Sequence, residues 1–245
     1  MGTRRILRRA GWALIGCAGL VLAFLGYQLY VTDFLNDRVQ AEAMATLEAE
    51  LEARRTQLPA PEPVEVTVPE EVEEPEEPEP PTFVRTAFVP ESPVPQGEPL
   101  GRLMIEAIGV DEVVFEGVDR ETLKKGPGHM PWTPVPGQPG NAVMSGHRTT
   151  YGRPFYDLDQ LEIGDRIEVE TAVGTHVFEV REIHIVEPDD VWVTEEKSGA
   201  WLTLTTCHPH FSARERLVVQ AELIDGPNAA YAELLARQAE EGQDA

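Results

Sequence analysis

The chain has 245 residues, a formal net charge of −23 and two cysteines. An acidic excess of this size argues against nucleic-acid binding, because phosphate would be repelled rather than attracted. One cysteine lies in an apolar N-terminal stretch and the other is Cys207, so no internal disulfide is expected to stabilise the fold.

The first predicted element is a membrane-spanning helix over residues 10–31. These 22 positions carry no Asp, Glu, Lys or Arg, and at about 1.5 Å per residue they reach across a hydrocarbon layer about 30 Å thick. Four arginines precede the stretch and two aspartates follow it. The positive-inside rule therefore predicts a single-pass protein of the cell membrane, with residues 1–9 as a cytoplasmic tail and the rest outside.

Two other N-terminal signals remain open. A cleaved signal peptide has a shorter apolar core, and the nearest small-x-small cleavage site, at residues 41–43, lies far downstream. Residues 3–7, Thr-Arg-Arg-Ile-Leu, resemble a twin-arginine export signal. Either alternative still exports the remainder of the chain.

A juxtamembrane helix is predicted over residues 32–58, which contain good helix formers with apolar side chains three to five residues apart. Its apolar stripe could mediate self-association, lie on the lipid surface, or do neither. Residues 59–99 follow, with eleven Glu and twelve Pro in 41 positions. Such a composition predicts a disordered linker that favours polyproline II, a stalk on the order of 100 Å at about 3.1 Å per residue. A solvated spacer without a selected length is the alternative.

The folded domain is predicted over residues 100–226, a normal size for one core. Alternating polar and apolar residues, separated by Gly and Pro turns, predict strands with one buried face. The strands are expected at 101–105, 112–116, 140–145, 166–171, 175–186, 200–206 and 215–224. Short helices are expected at 120–125 and 155–161, and residues 227–245 form a helical tail with a short apolar face. Many short strands without alternating long helices favour a mainly β, closed or nearly closed antiparallel-rich barrel.

Cys207 ends a β-like run and is followed by His208 and Pro209. A lone cysteine outside the membrane has chemistry as its most plausible role, and thiol chemistry requires a nearby base or cation. Of the six histidines, His147 follows an apolar run and the small pair Ser145-Gly146, which places it at a strand exit where a cleft can form. His208 remains a minor candidate, since adjacent strand residues point to opposite faces.

His176 and His184 lie within a long alternating strand, so solvated or structural roles are expected for both. Arg216 leads into the apolar run Leu-Val-Val of the last strand, beside the strand that carries Cys207. A fixed guanidinium there could lower the thiol pKa and stabilise a developing oxyanion. A surface ion pair is the alternative role for this arginine.

Three linked motifs resemble the sortase family. Residues 203–207, Thr-Leu-Thr-Thr-Cys, look like the TLxTC signature of sortases, and residues 207–219 resemble the actinobacterial class E form. Residues 126–129 and 136–148 are similar to the segment that delivers the catalytic histidine. The order histidine, cysteine, arginine is also that of the family. The resemblance covers about residues 100–223.

The resemblance implies an eight-stranded sortase-type β-barrel and a cysteine transpeptidase. Cys207 would be the nucleophile, His147 the acid/base partner and Arg216 the oxyanion and substrate-binding group, while Thr205, Thr206 and Arg148 would contact substrate. Secreted proteins with an LPxTG- or LAxTG-like C-terminal sorting signal would be cut after Thr. A lipid II-like or pilin amine would then resolve the thioester. No cofactor is implied, and the histidines and acids lack the compact spacing of a metal site.

Other functions remain open. A class D-like or pilin-polymerising sortase is the closest alternative, and a non-catalytic envelope-binding module would use the same anchor and linker. A papain-like hydrolase is disfavoured, because such enzymes place the cysteine at a helix start and ahead of the histidine.

Overall fold

A computed structural model describes residues 2–27, 32–68 and 82–243. The helices in this part of the chain are α1 (Gly2–Gly26), α2 (Thr32–Arg55), α3 (Arg120–Leu123) and α4 (Ala229–Gln243). The strands are β1 (Glu62–Val68), β2 (Thr82–Phe88), β3 (Pro99–Ile105), β4 (Val110–Glu116), β5 (Gly128–His129), β6 (Gly140–Ser145), β7 (Arg166–Glu170), β8 (Thr175–Val186), β9 (Ala200–His208) and β10 (Glu215–Asp225). Short 3₁₀ turns occupy Glu106–Ile108, Leu158–Gln160 and Val191–Thr194.

Eight strands close into a barrel in the order β10-β8-β7-β3-β4-β5-β6-β9. Six neighbouring pairs are antiparallel, while β4 with β5 and β6 with β9 are parallel. The mainly β, eight-stranded barrel is confirmed, and each of the seven strands expected from alternation is present. Strand β7 shows why alternation predicts strands: Ile167 and Val169 are buried, whereas Arg166 and Glu168, which alternate with them, face solvent.

The eighth strand is β5, which sequence periodicity did not reveal. It has two residues, Gly128 and His129, too few for an alternating pattern. It pairs with β4 on one side and β6 on the other, and this bridge closes the barrel. Gly128 is required there because a Cβ would collide with the carbonyl of Gly117.

The apolar helix α1 contains a candidate membrane span at Arg8–Gly26, 19 residues long. Its side chains are largely exposed, as expected for a segment without a protein partner. The expected span over 10–31 extends further, and residues 28–31 lie outside the described part of the chain.

The expected juxtamembrane helix is present as α2, and it docks on the barrel. Leu47 and Leu51 are 2% exposed and pack in a cluster with Val113 and Phe115 of β4. The opposite side of the first turns leaves three apolar side chains exposed, which are Phe34, Leu35 and Val39. The helix therefore belongs to the folded unit, rather than being a frayed connector.

The prediction of an unpacked linker over 59–99 is corrected at both ends. Strands β1 and β2 form an antiparallel hairpin with a continuous register from Glu62↔Phe88 to Val68↔Thr82. The reason is local: within residues 62–68, each Val is separated from the next by one polar residue, which is a strand pattern. The high Pro and Glu content of the whole segment obscures this pattern. Residues 69–81, the central part of the expected stalk, lie outside the described residues.

Residues 89–99 also pack on the barrel. The Glu91 carboxylate accepts hydrogen bonds from the Thr171 hydroxyl at 2.6 Å and the Ala172 amide at 3.1 Å, and burial raises the pKa of Glu91. The side chain of Val94 contacts the main core. The folded unit therefore begins before residue 100 on this side.

The helix after residue 227 is α4, and it packs against the barrel and β2. The Tyr231 ring lies 5.0 Å from the Phe88 ring between centroids, and Ala232 is buried in the main core. Asn228, just before the helix, donates to the carbonyls of Val89 and Gly137 at 3.1 Å each. The tail thus ties the β1–β2 hairpin to the barrel.

Candidate active site

Strand β9 carries Cys207 between two neighbours that each contribute to one cavity. On one side β6 runs parallel to it, with Ser145 opposite Thr205. On the other side β10 runs antiparallel, with Arg216 opposite Cys207. The barrel register therefore brings the exit of β6, the end of β9 and the start of β10 together.

A cavity of about 370 Å³ opens at this point. Cys207, His147 and Arg216 all line it. Its other walls come from the α3 region, the β5–β6 pair and the segment after β8: Val118, Leu123, Met130, Ser145, Gly146, Val186, Glu187, Pro188, Asp190, Val191, Val193, Thr194, Thr205, Thr206 and Val218. The sequence-predicted trio, 69 residues apart at its extremes, shares one concave surface.

His147 is placed by the glycine before it. Gly146 donates from its amide to the Thr205 carbonyl at 3.1 Å and accepts from the Thr206 hydroxyl at 2.8 Å, so it is tied to β9. A Cβ on Gly146 would stand 2.6 Å from the Phe155 ring. Only glycine permits this approach, and the next residue, His147, enters the cavity.

The imidazole of His147 is partly buried. Burial lowers its pKa, which favours the neutral ring. Its Nε2 atom is buried and has no hydrogen-bond partner within the described part of the chain. An unpaired buried nitrogen is costly unless a substrate or a proton donor supplies the missing bond.

Arg216 is held by backbone carbonyls. Its Nη1 donates to the carbonyls of Ala213 and Glu215, at 3.1 Å each. Among the described residues, Nε and Nη2 have no hydrogen-bond partner. One nitrogen therefore orients the guanidinium of this cavity-lining residue, and the other two remain without partners in the described residues. The surface ion pair considered from the sequence is not seen among those residues.

The expected substrate contacts divide into two groups. Thr205 and Thr206 line the cavity, although the Thr206 hydroxyl is already bonded to Gly146. Arg148 differs from expectation: its side chain is 1% exposed and forms an ion pair with Asp159 at 2.7 Å. Its Nη1 also donates to the Cys207 carbonyl at 3.3 Å and to His208 Nδ1 at 2.8 Å. The charge of Arg148 is paired with groups inside the fold, so this side chain stabilises the backbone around Cys207.

The other histidines are occupied elsewhere. Since arginine only donates, His208 Nδ1 accepts from Arg148 and cannot act as a base for Cys207. His176 is buried and burial lowers its pKa to about 4, while His184 packs edge-on against Trp192 and pairs with Glu182. Neither lines the cavity, in keeping with the structural roles expected for them.

Two contributions were missed at the level of sequence. Residues 187–194, between β8 and β9, form one wall of the cavity. The first turn of α2 contacts the loop after His147: Asp33 accepts from the Gly152 amide at 3.0 Å and pairs with Arg153 at 3.1 Å. Neither residues 187–194 nor Asp33 belong to a periodic sequence pattern, so the sequence alone predicts neither contribution.

Comparisons with known proteins identify the family. The family model described as Sortase domain matches residues 103–224. Sortase D of Bacillus subtilis is 33% identical over 126 residues, covering 51% of this chain and 60% of that protein. Sortase SrtE1 of Streptomyces coelicolor is 34% identical over 95 residues, covering 35% of this chain and 27% of that protein. The solved Clostridium perfringens sortase D5 transpeptidase aligns with a TM-score of 0.51 and 30% identity, covering 54% of this chain and 83% of that one.

The chain belongs to the sortase family, and the resemblance to actinobacterial class E is confirmed. The alignments span less than two thirds of the length of both curated relatives.

Proposed function

We propose that this protein is a membrane-anchored cysteine transpeptidase. It cleaves an LPxTG- or LAxTG-like sorting signal after Thr and passes the acyl group, through a Cys207 thioester, to a cell-wall amine. The single observation that carries the proposal is the shared cavity of Cys207, His147 and Arg216, with Arg216 fixed opposite Cys207 by strand register.

The acylation step uses each of the three groups. The Cys207 thiolate attacks the carbonyl carbon of the substrate Thr, and a C–S bond forms. The guanidinium of Arg216 stabilises the resulting oxyanion with the N–H groups that its backbone contacts leave free. As the C–N bond breaks, the His147 imidazolium gives its proton to the leaving glycine amine.

The second step reverses the proton path. The incoming amine attacks the thioester carbon, its proton passes to the neutral His147 ring, and the thiolate leaves as the new amide forms. The thioester keeps the acyl group activated, so no nucleotide is needed. Burial favours neutral His147, so the reactive thiolate–imidazolium pair is a minor population of the free enzyme.

The anchor suits this chemistry. The candidate span in α1 lies close in sequence to the docked helix α2. With the N-terminus in the cytoplasm, the cavity is outside, where exported proteins and a lipid-linked amine are both present.

Mass spectrometry of the full-length protein in detergent tests the proposal. The protein is incubated with a library of x-x-x-T-G peptides and candidate amines, and the covalent adduct is mapped. We expect a peptide acyl group on Cys207, cleavage after Thr, and an amine-linked product. Cys207→Ala should form no adduct, while Cys17→Ala, in the apolar helix, should behave as wild type. Full cleavage by Cys207→Ala would refute the nucleophile.

A class D-like specificity is the second candidate, favoured by the 33% identity to Bacillus subtilis sortase D. The same library separates the two, because the preferred pentapeptide and the accepted amine are read from one product.

A further inference from the structure

The loop that follows His147 contains an unusual run of backbone conformations. Tyr151, Gly152 and Arg153 have φ values of 54°, 77° and 53°. In the described residues, Tyr151 and Arg153 are two of three non-glycine positions with positive φ. Each such non-glycine residue costs on the order of 1–3 kcal/mol and persists only where its surroundings hold it. This turn therefore needs support from outside itself.

The support comes from the first turn of α2. Asp33 Oδ1 accepts from the Gly152 amide at 3.0 Å, and Asp33 Oδ2 pairs with Arg153 Nε at 3.1 Å. The Asp33 side chain is 17% exposed, so both contacts are partly shielded from water. Hydrogen bonds to an ionised carboxylate are about twice as strong as neutral ones.

Helix α2 is itself fixed to the barrel by separate contacts. Asn36 Nδ2 donates to the carbonyls of Lys124 and Lys125 at 2.9 Å each. Gln40 exchanges two hydrogen bonds with Val113, at 3.1 and 2.7 Å. Asp33 therefore reaches the loop from a rigid support that does not depend on the loop.

The Tyr151–Arg153 turn also contacts His147, the proposed acid/base residue. The Tyr151 ring lies 5.0 Å from the His147 ring between centroids, tilted by 40°. Across the loop, the Phe155 amide donates to the His147 carbonyl at 3.2 Å. If the turn relaxed to ordinary φ values, the Tyr151 ring would leave His147, which would then move and gain water.

We propose that Asp33 is a positioning residue for the reaction: from the juxtamembrane helix it holds the Tyr151–Arg153 turn, which keeps the His147 ring in place. The inference rests on the proposed function for its kinetic consequence. The physical link itself runs from α2 to the imidazole through three contacts: Asp33 with Gly152, Asp33 with Arg153, and Tyr151 with His147.

The test uses the full-length chain in detergent and the peptide and amine identified above. Asp33→Ala is compared with two controls on the same helix. Glu42→Ala removes the same charge from an exposed position, and Gln40→Ala weakens helix docking without touching the loop. Steady-state kinetics give kcat and KM, and an NMR titration gives the pKa of His147. The other titratable or charged groups that share the His147 cavity are Cys207, Arg216, Glu187 and Asp190, and none is altered.

We expect Asp33→Ala to lower kcat by about 10- to 100-fold with KM little changed, since small displacements of a reacting group cost this much. The pKa of His147 should rise toward its ordinary value as burial is lost. Asp33→Asn, whose amide oxygen still accepts from Gly152, should recover part of kcat. Both controls should keep the wild-type pKa of His147.

An unchanged kcat and an unchanged His147 pKa in Asp33→Ala would overturn the inference. An equal loss in Gln40→Ala would also overturn it, because helix docking as a whole would then be responsible. A wild-type chain that cleaves no peptide would refute the proposed function instead, and the NMR titration would still decide whether Asp33 holds His147.

Discussion

Arg216 lies directly opposite Cys207 in the antiparallel ladder of β9 and β10. Directly opposed residues in such a pair have side chains on the same face, with Cβ atoms about 4.5–5.5 Å apart. Strand register, rather than a loop, therefore places the Arg216 and Cys207 side chains on the same face of the sheet. His147 is delivered differently, from a strand exit tied to β9 through Gly146.

Replacement of Arg216 by Ala should lower kcat/KM for the sorting peptide by about 10²-fold or more, the scale of a lost oxyanion contact. Arg216→Lys should recover little, because an ammonium cannot reproduce the fork that the two backbone carbonyls orient. Arg214→Ala, an exposed arginine two residues earlier, is the matched control. A normal rate in Arg216→Ala would remove this residue from the mechanism.

Replacement of His147 by Ala should lower kcat by about 10²-fold or more, because the leaving amine loses its proton donor. Peptide binding should change little, which single-turnover kinetics can separate from the chemical step. His184→Ala serves as control, since that ring packs on Trp192 outside the cavity. Equal losses in both variants would contradict a specific role for His147.

Replacement of Arg148 by Met should destabilise the fold by about 3 kcal/mol, because Cys207, His208 and Asp159 each lose a buried partner. The measurement is thermal unfolding followed by near-ultraviolet circular dichroism. Arg237→Met, at the exposed ion pair with Glu233, should cost much less. A stable Arg148→Met protein with altered peptide specificity would instead support the substrate contact expected from the sequence.

Two glycines with positive φ separate backbone strain from contact with α2. Gly164 has φ +97° and open space around an added Cβ, so Gly164→Ala should cost about 1–2 kcal/mol from the backbone alone. Gly152 has φ +77°, and an added Cβ would collide with the Asn36 side-chain oxygen. Gly152→Ala should therefore lower the unfolding temperature further than Gly164→Ala does. Equal shifts would mean that α2 does not rest on this loop.

Stability should depend on pH through Glu112, a residue of β4. Burial, followed by the charges of Asp37 and Asp111, raises its pKa to about 7. Between about pH 4.5 and 7 the folded chain binds more protons than the unfolded chain, so the free energy of unfolding falls as pH rises. Glu112→Gln should therefore exceed wild type by on the order of 1–3 kcal/mol at pH 8 and match it at pH 4.

Unfolding of Glu112→Gln and wild type is compared across this range, because the difference cancels other groups. His176 is one such group: its lowered pKa, about 4, makes stability rise between about pH 4 and 6.5. An advantage of the Gln variant that stays constant from pH 4 to pH 8 would contradict the proton linkage.

Sequence reasoning located the barrel strands well, because one face of each is buried and the period of two survives in the residues. It also selected Cys207, His147 and Arg216 as candidate site residues, and all three line one cavity. It could not find β5, whose two residues have no period, or the β1–β2 hairpin, whose valines stand among Pro and Glu.

The docking of α2 was hidden for a different reason. Its barrel-facing positions in the first two turns are Thr32, Asn36 and Gln40, while the apolar Phe34 and Leu35 face away. In these turns the apolar side chains therefore indicate the wrong face, because the buried Asn36 and Gln40 side chains bond to backbone groups of the barrel. The partners of Arg148 were also not predictable from sequence: Asp159 and His208 lie far from it along the chain and are brought to it only by the fold.

Because α2 is docked on the barrel, only a short segment of chain separates the folded domain from α1. Gly26 and Thr32 are six residues apart, a gap that at full extension covers about 20 Å. If α1 spans the membrane as proposed, this short gap holds Cys207 close to the membrane surface, because no long tether lies between α1 and the barrel. Under the proposed function, an acceptor amine anchored in the same membrane would reach Cys207 by lateral diffusion, whereas an amine far from the membrane would not.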